Sequence, residues 1–109
     1  MGYSMVIIET SVFTRQVQAL LEDEEYRKLQ IALVNRPQLG SVMPGSGGLR
    51  KMRWVLPGRG KRGGVRVIYY WAVTQKQLLM LFIYPKSERD DLSAAQVKIL
   101  RMIVKEEYL

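Results

Sequence analysis

The sequence contains no cysteine and no histidine. Without cysteine there can be no disulfide and no thiolate metal site, and the chain is compatible with a reducing compartment. Without histidine the commonest metal ligand and the commonest general base are missing, and with them every Ser-His-Asp or Cys-His arrangement. No segment approaches the roughly 20 apolar residues needed to span a bilayer. The opening Met1-Gly2-Tyr3-Ser4 is not a charged segment leading into an apolar core with a small-residue cleavage site. A cytoplasmic protein with no membrane association is therefore expected. Internal repeats, linkers and low-complexity segments are also lacking, so residues 1–109 are expected to form a single domain.

What is present is a hydrophobic share of 48% in 109 residues, enough for one core, and a net charge of +7. The placement of that charge is more informative than its size. Residues 50–66 hold Arg50, Lys51, Arg53, Arg59, Lys61, Arg62 and Arg66 and no acid, while the other ten basic residues balance all ten acidic ones. A basic excess concentrated in one short stretch is the electrostatic footprint of a polyanion site. The alternative is a solvated basic hairpin with no partner.

Hydrophobic spacing places the elements. Met5 to Ile8 are apolar and largely β-branched and predict a strand. Ser11 is expected to cap a helix carrying Phe13, Val17, Leu20 and Leu21 on one side. Asp23 is expected to cap a second helix over 24–35, with Glu24 and Glu25 in its first turn and Tyr26, Leu29, Ala32 and Leu33 as its stripe. Pro37 should end it. Residues 37–48 are rich in glycine and proline but lack phosphate-loop spacing, and read as a turn into a sheet. Strands are expected over 49–56, 65–73 and 78–84, with Pro85 closing the last. Ser93 and Gln96 form a capping box for a final helix to about residue 107. The expected fold is α+β, in the order β-α-α-β-β-β-α, an antiparallel meander with the helices on one face.

Side chains alternate along a strand. Lys51, Arg53 and Val55 are thus expected on an exposed face, and Arg50, Met52, Trp54 and Leu56 towards the core, with Arg50 at its rim. Arg66, Ile68 and Tyr70 share a face in the next strand, so hairpin pairing can bring Arg66 beside Lys51 and Arg53. Clustered cations repel one another unless an anion sits among them, and arginine grips phosphate with a planar, permanently charged fork. Trp54, Tyr69, Tyr70, Trp71 and Tyr84 are candidates to stack on bases, although central-strand aromatics are usually core.

Three segments together resemble the RelE superfamily of toxins, above all its HigB branch. They are Gly47-Gly48-Leu49-Arg50-Lys51-Met52-Arg53-Trp54, the hairpin from Gly58 to Tyr70, and Ile83-Tyr84-Pro85-Lys86-Ser87-Glu88 with Asp91-Leu92. The resemblance implies a toxin that enters the ribosomal A site and cleaves messenger RNA by attack of the ribose 2′-hydroxyl on the adjacent phosphate. It implies no metal and no cofactor. It assigns catalysis to Lys51, Arg53, Arg66 and Lys86, with Tyr84 as a substitute acid. Arg50, Arg59, Lys61, Arg62 and Arg89 would bind RNA, Arg89 supplying a positive charge from a shifted position. A RelE protein has an arginine where Ser87 stands and a tyrosine where Ser93 stands. The implied partners are messenger RNA, the ribosome and an antitoxin with a helix-turn-helix domain, and the free toxin would be a monomer. Two other readings share the charge: a ParE-like gyrase poison, which does not need the strand-borne cations, and a non-catalytic RNA- or DNA-binding module.

Overall fold

The computed structural model describes residues 5–56, 63–89 and 91–109. Strand β1 (Val6–Glu9) leads into helices α1 (Ser11–Leu20) and α2 (Asp23–Asn35). A 3-10 turn (Pro37–Leu39), strands β2 (Ser41–Val42), β3 (Arg50–Trp54), β4 (Val65–Ala72) and β5 (Gln77–Pro85), and helix α3 (Ala94–Tyr108) complete the order. The α+β class and the meander β3-β4-β5 are as expected. The sheet is larger than the meander: it has five strands in the order β1-β5-β4-β3-β2, and β1 runs parallel to β5. The two-residue β2 pairs with β3 inside the segment expected to be only a turn. Among the described residues no helix is long and apolar enough to cross a membrane.

The helices do not lie on one face. Phe13 and Val17 of α1 and Leu29 and Leu33 of α2 pack with Met52, Val67, Tyr69, Leu78 and Met80 on one side of the sheet. Leu100 and Val104 of α3 pack with Ile68, Leu79 and Leu81 on the other. The cause is in the strands. Residues 65–72 and 78–84 are nearly continuous apolar runs, and a strand apolar on both faces needs cover on both.

The helix starts are fixed by short-range bonds. The cap of α1 is Thr10, one residue before the expected Ser11: its Oγ1 accepts from the Phe13 N–H at 3.1 Å. The same hydroxyl donates to the Leu81 carbonyl at 3.2 Å, tying α1 to β5. Glu22 stands at the cap of α2 and makes no side-chain cap bond, so Asp23 is not the cap but opens the helix, joined by Glu24 and Glu25 in the acidic first turn. The capping box of Ser93 and Gln96 is present, with both bonds formed.

Tyr69 pins the 3-10 turn to the sheet. It is fully buried, donates to the Pro37 carbonyl at 2.6 Å and accepts from the Gly40 N–H at 2.8 Å. Gly40 is required by this approach, because a Cβ there would lie 2.8 Å from the Tyr69 ring. Gly48 is required by its backbone, with φ +101° in the left-handed region.

Candidate functional site

Register decides which cations meet. In β3 and β4 Arg53 lies directly opposite Arg66, and in β4 and β5 Arg66 lies directly opposite Tyr84. Arg53, Arg66 and Tyr84 thus form one row across three strands. Lys51 is one alternation away on the same face, opposite Ile68. The row lies on the α3 side of the sheet, since Ile68 and Tyr84 belong to the core under α3.

A bulge makes the row possible. Ile68 pairs with Phe82 and Tyr69 with Met80, leaving Leu81 as an extra residue in β5. Before the bulge, Leu78 and Met80 face α1 and α2; after it, Ile83 does so and Tyr84 faces α3. Strict alternation would have placed Tyr84 on the face of Leu78 and Met80. The bulge is held by the Thr10 hydroxyl on the Leu81 carbonyl and by Gln16 Oε1, which accepts from the Ile83 N–H at 3.1 Å.

The cations are not equally exposed. Arg53 is exposed, whereas Lys51 and Arg66 are half-buried rather than lying open on the sheet. Arg66 Nε is buried with no hydrogen-bond partner among the described residues. A buried donor left unpaired costs about 1–3 kcal/mol, and two arginines directly opposite on a sheet repel by up to about 1 kcal/mol. An anion held in the row would relieve both.

Lys51 is not crowded by cations alone. Its Nζ donates to Asp91 Oδ1, a residue of the segment between β5 and α3. The hydrogen bond and charge of Lys51 hold the Asp91 carboxyl below its ordinary range, and Arg66 adds to the effect. Asp91 as an ion-pair partner was not legible in the sequence. It is separated from Lys51 by forty residues, and no periodicity joins the two segments. The one available signal was that the acid closes a strand-to-helix connection.

Tyr84 reaches the row but is only 2% exposed, with its ring against Phe82. The Arg89 guanidinium lies 6.0 Å from the centre of that ring and also pairs with Glu88 at 3.7 Å. Lys86 sits just beyond β5, and its backbone N–H donates to the Gly64 carbonyl at 3.0 Å. Ser87 is exposed in the same turn. Arg59, Lys61 and Arg62 lie outside the described residues.

Arg50 does not join the row. Its guanidinium donates to the Gly40 carbonyl at 2.7 Å and lies over Trp71, 5.8 Å from the ring centre. Trp71 packs against the core under α1 and α2, so Arg50 is held on the opposite face of the sheet. Trp54 packs there too and donates to Glu25 at 3.2 Å, and Tyr69 is fully buried. Tyr70 lies under α3, its ring 5.5 Å from that of Tyr108. Trp54, Tyr69, Tyr70 and Trp71, expected as candidates to stack on bases, are thus all engaged in packing against the two cores.

The family described as the RelE toxin of the RelE/RelB toxin-antitoxin system matches residues 5–108. Among solved structures, the chain is similar to an E. coli RelE toxin with two arginine-to-alanine substitutions in the free state. That match has 12% identity and a TM-score of 0.61, over 98% of this chain and 100% of that one. It is similar also to a chain of the intact E. coli RelBE toxin-antitoxin complex, at 11% identity and a TM-score of 0.57, over 75% of this chain and 96% of that one. The isolated E. coli RelE toxin matches at 11% identity and a TM-score of 0.57, over 92% and 99%. At such identities the structural matches speak for the fold.

Proposed function

This chain belongs to the RelE toxin family, and from that premise we propose that it is a ribosome-dependent endonuclease that cuts messenger RNA in the A site. The observation that carries the reading is the Arg53-Arg66-Tyr84 row with Lys51 beside it. The reaction needs no protein nucleophile. The ribose 2′-oxygen attacks the adjacent phosphorus, its proton leaves to a base, and the bond to the 5′-oxygen breaks as that oxygen takes a proton. Negative charge grows on the phosphoryl oxygens along the way. Fixed cations aimed at that charge stabilise the transition state more than the ground state.

In this reading Arg66 and Arg53 hold the scissile phosphate, and Lys51 exchanges the proton of the attacking hydroxyl. Lys86 and Arg89 add positive charge from the end of β5. Tyr84 acts through Arg66 and Arg89 as a positioning residue, because its burial keeps it from the substrate. Arg59, Lys61 and Arg62 bind ribosomal RNA, and Arg50 holds the sheet edge. The partner is an antitoxin with a helix-turn-helix domain. The family description as half of a toxin-antitoxin pair supports an antitoxin partner, as does the likeness to a chain of the RelBE complex.

The test is induced expression in growing bacteria, with primer extension on a translated reporter message and on the same message without a start codon. Cuts in the translated message alone, lost with Arg66→Gln, are expected. Growth arrest without cuts would move the reading to gyrase poisoning, and neither arrest nor cuts to a binding module. Glutamine is chosen because Arg66 is half-buried and alanine would leave a void.

A further inference from the structure

The Lys51–Asp91 pair raises a question that the fold does not answer. Asp91 is 68% exposed and Lys51 26%. An ion pair this open adds little to stability, so it is not what holds α3 to the sheet. That work is done by Leu100 and Val104 under the helix. Yet the pair sets a carboxylate against the row of cations. Lys51 donates to it, and the charge of Arg66 acts on it as well.

A carboxylate and a phosphate accept hydrogen bonds from the same cationic donors. We propose that Asp91 is a specificity-determining residue: an internal anion that occupies Lys51 in the free protein and that an RNA phosphate must displace. The inference rests on the reading of the row as an RNA site. Its consequence is selectivity. A stray anion offers Lys51 nothing that Asp91 does not already supply. A phosphate that also engages Arg66 and Arg53 gains contacts Asp91 does not make, and displaces it.

The full-length protein and Asp91→Asn are titrated with a short single-stranded RNA oligonucleotide across a salt series, read by fluorescence anisotropy. Removing a competing exposed ion pair should tighten binding by roughly two- to fivefold. The slope of log affinity against log salt should not change, because Lys51 contacts the phosphate in both complexes. The gain should largely vanish in a Lys51→Ala background. A structural role would not depend on Lys51, and thermal melting of both proteins shows whether the fold is retained. Asp91→Asn binding no tighter than the parent would overturn the proposal. Parent binding that ignores Arg66→Gln would instead overturn the RNA reading itself, and this inference with it.

Discussion

Replacing Tyr69 by phenylalanine removes one oxygen from the fully buried interior and leaves the ring in place. That oxygen donates to the Pro37 carbonyl at 2.6 Å and accepts from the Gly40 N–H at 2.8 Å. Burial raises its pKa, and the Gly40 bond and Arg50 oppose the rise, so the group is a neutral hydroxyl at physiological pH. Without it, two backbone groups lose their partner inside the protein. Each unsatisfied group costs about 1–3 kcal/mol, and for the pair about 2–6 kcal/mol is expected. At about 5 °C per kcal/mol for a domain of this size, Tm should fall by roughly 10–30 °C. Circular dichroism melting reads the loss, and hydrogen exchange reads the Gly40 amide, which should lose protection. Because Tyr69 faces α1 and α2 and the cationic row faces α3, RNA binding by the folded variant should persist. A drop in Tm below about 3 °C, under 1 kcal/mol on the same scale, with Gly40 still protected, would refute the reasoning.

Gly40→Ala should also destabilise, since its Cβ would meet the Tyr69 ring at 2.8 Å; a melting point equal to the parent's would contradict this. Thr10→Ala removes the α1 cap and the bond to the bulge, and should cost about 1–2 kcal/mol in urea unfolding, with Thr10→Ser recovering most of it. Tyr26 is raised above its ordinary 10.0 by burial first and then by its hydrogen bond to Glu9. A raised folded pKa gives stability that is complete below the unfolded value and lost as pH climbs towards the folded one, so melting should fall at alkaline pH beyond about 10 and stay flatter in Tyr26→Phe. The Asp91 carboxyl should titrate below 3.8 by carbon NMR and return towards that value in Lys51→Ala. Its depressed pKa has the opposite sign: the contribution is present above the ordinary carboxylate range and lost as pH falls through the folded value.

Much of this molecule is local and therefore readable in one dimension. The capping box at Ser93 is a matter of four adjacent residues, and the stripes of α1, α2 and α3 follow from helical spacing. The basic excess over 50–66 required only counting. Alternation correctly put Lys51 and Arg53 on one face of β3 and Met52 and Trp54 on the other. The doubly apolar runs of β4 and β5 already contained the signal for helices on both faces, although the simpler single-faced arrangement was expected. Other features exist only once the chain is folded. Strand period alone could not say that Arg53 would meet Arg66, because a slip of one residue reverses a strand's faces. The Leu81 bulge, held by Thr10 and Gln16 from α1, carries Tyr84 to the α3 side. The parallel seat of β1 beside β5, the capture of Arg50 by Gly40, and the meeting of Lys51 with Asp91 all join segments far apart in the chain. Residue type and spacing determined which groups could bind an anion. Pairing between distant segments decided which of them stand side by side, because only closure of the sheet sets one strand's register against another's.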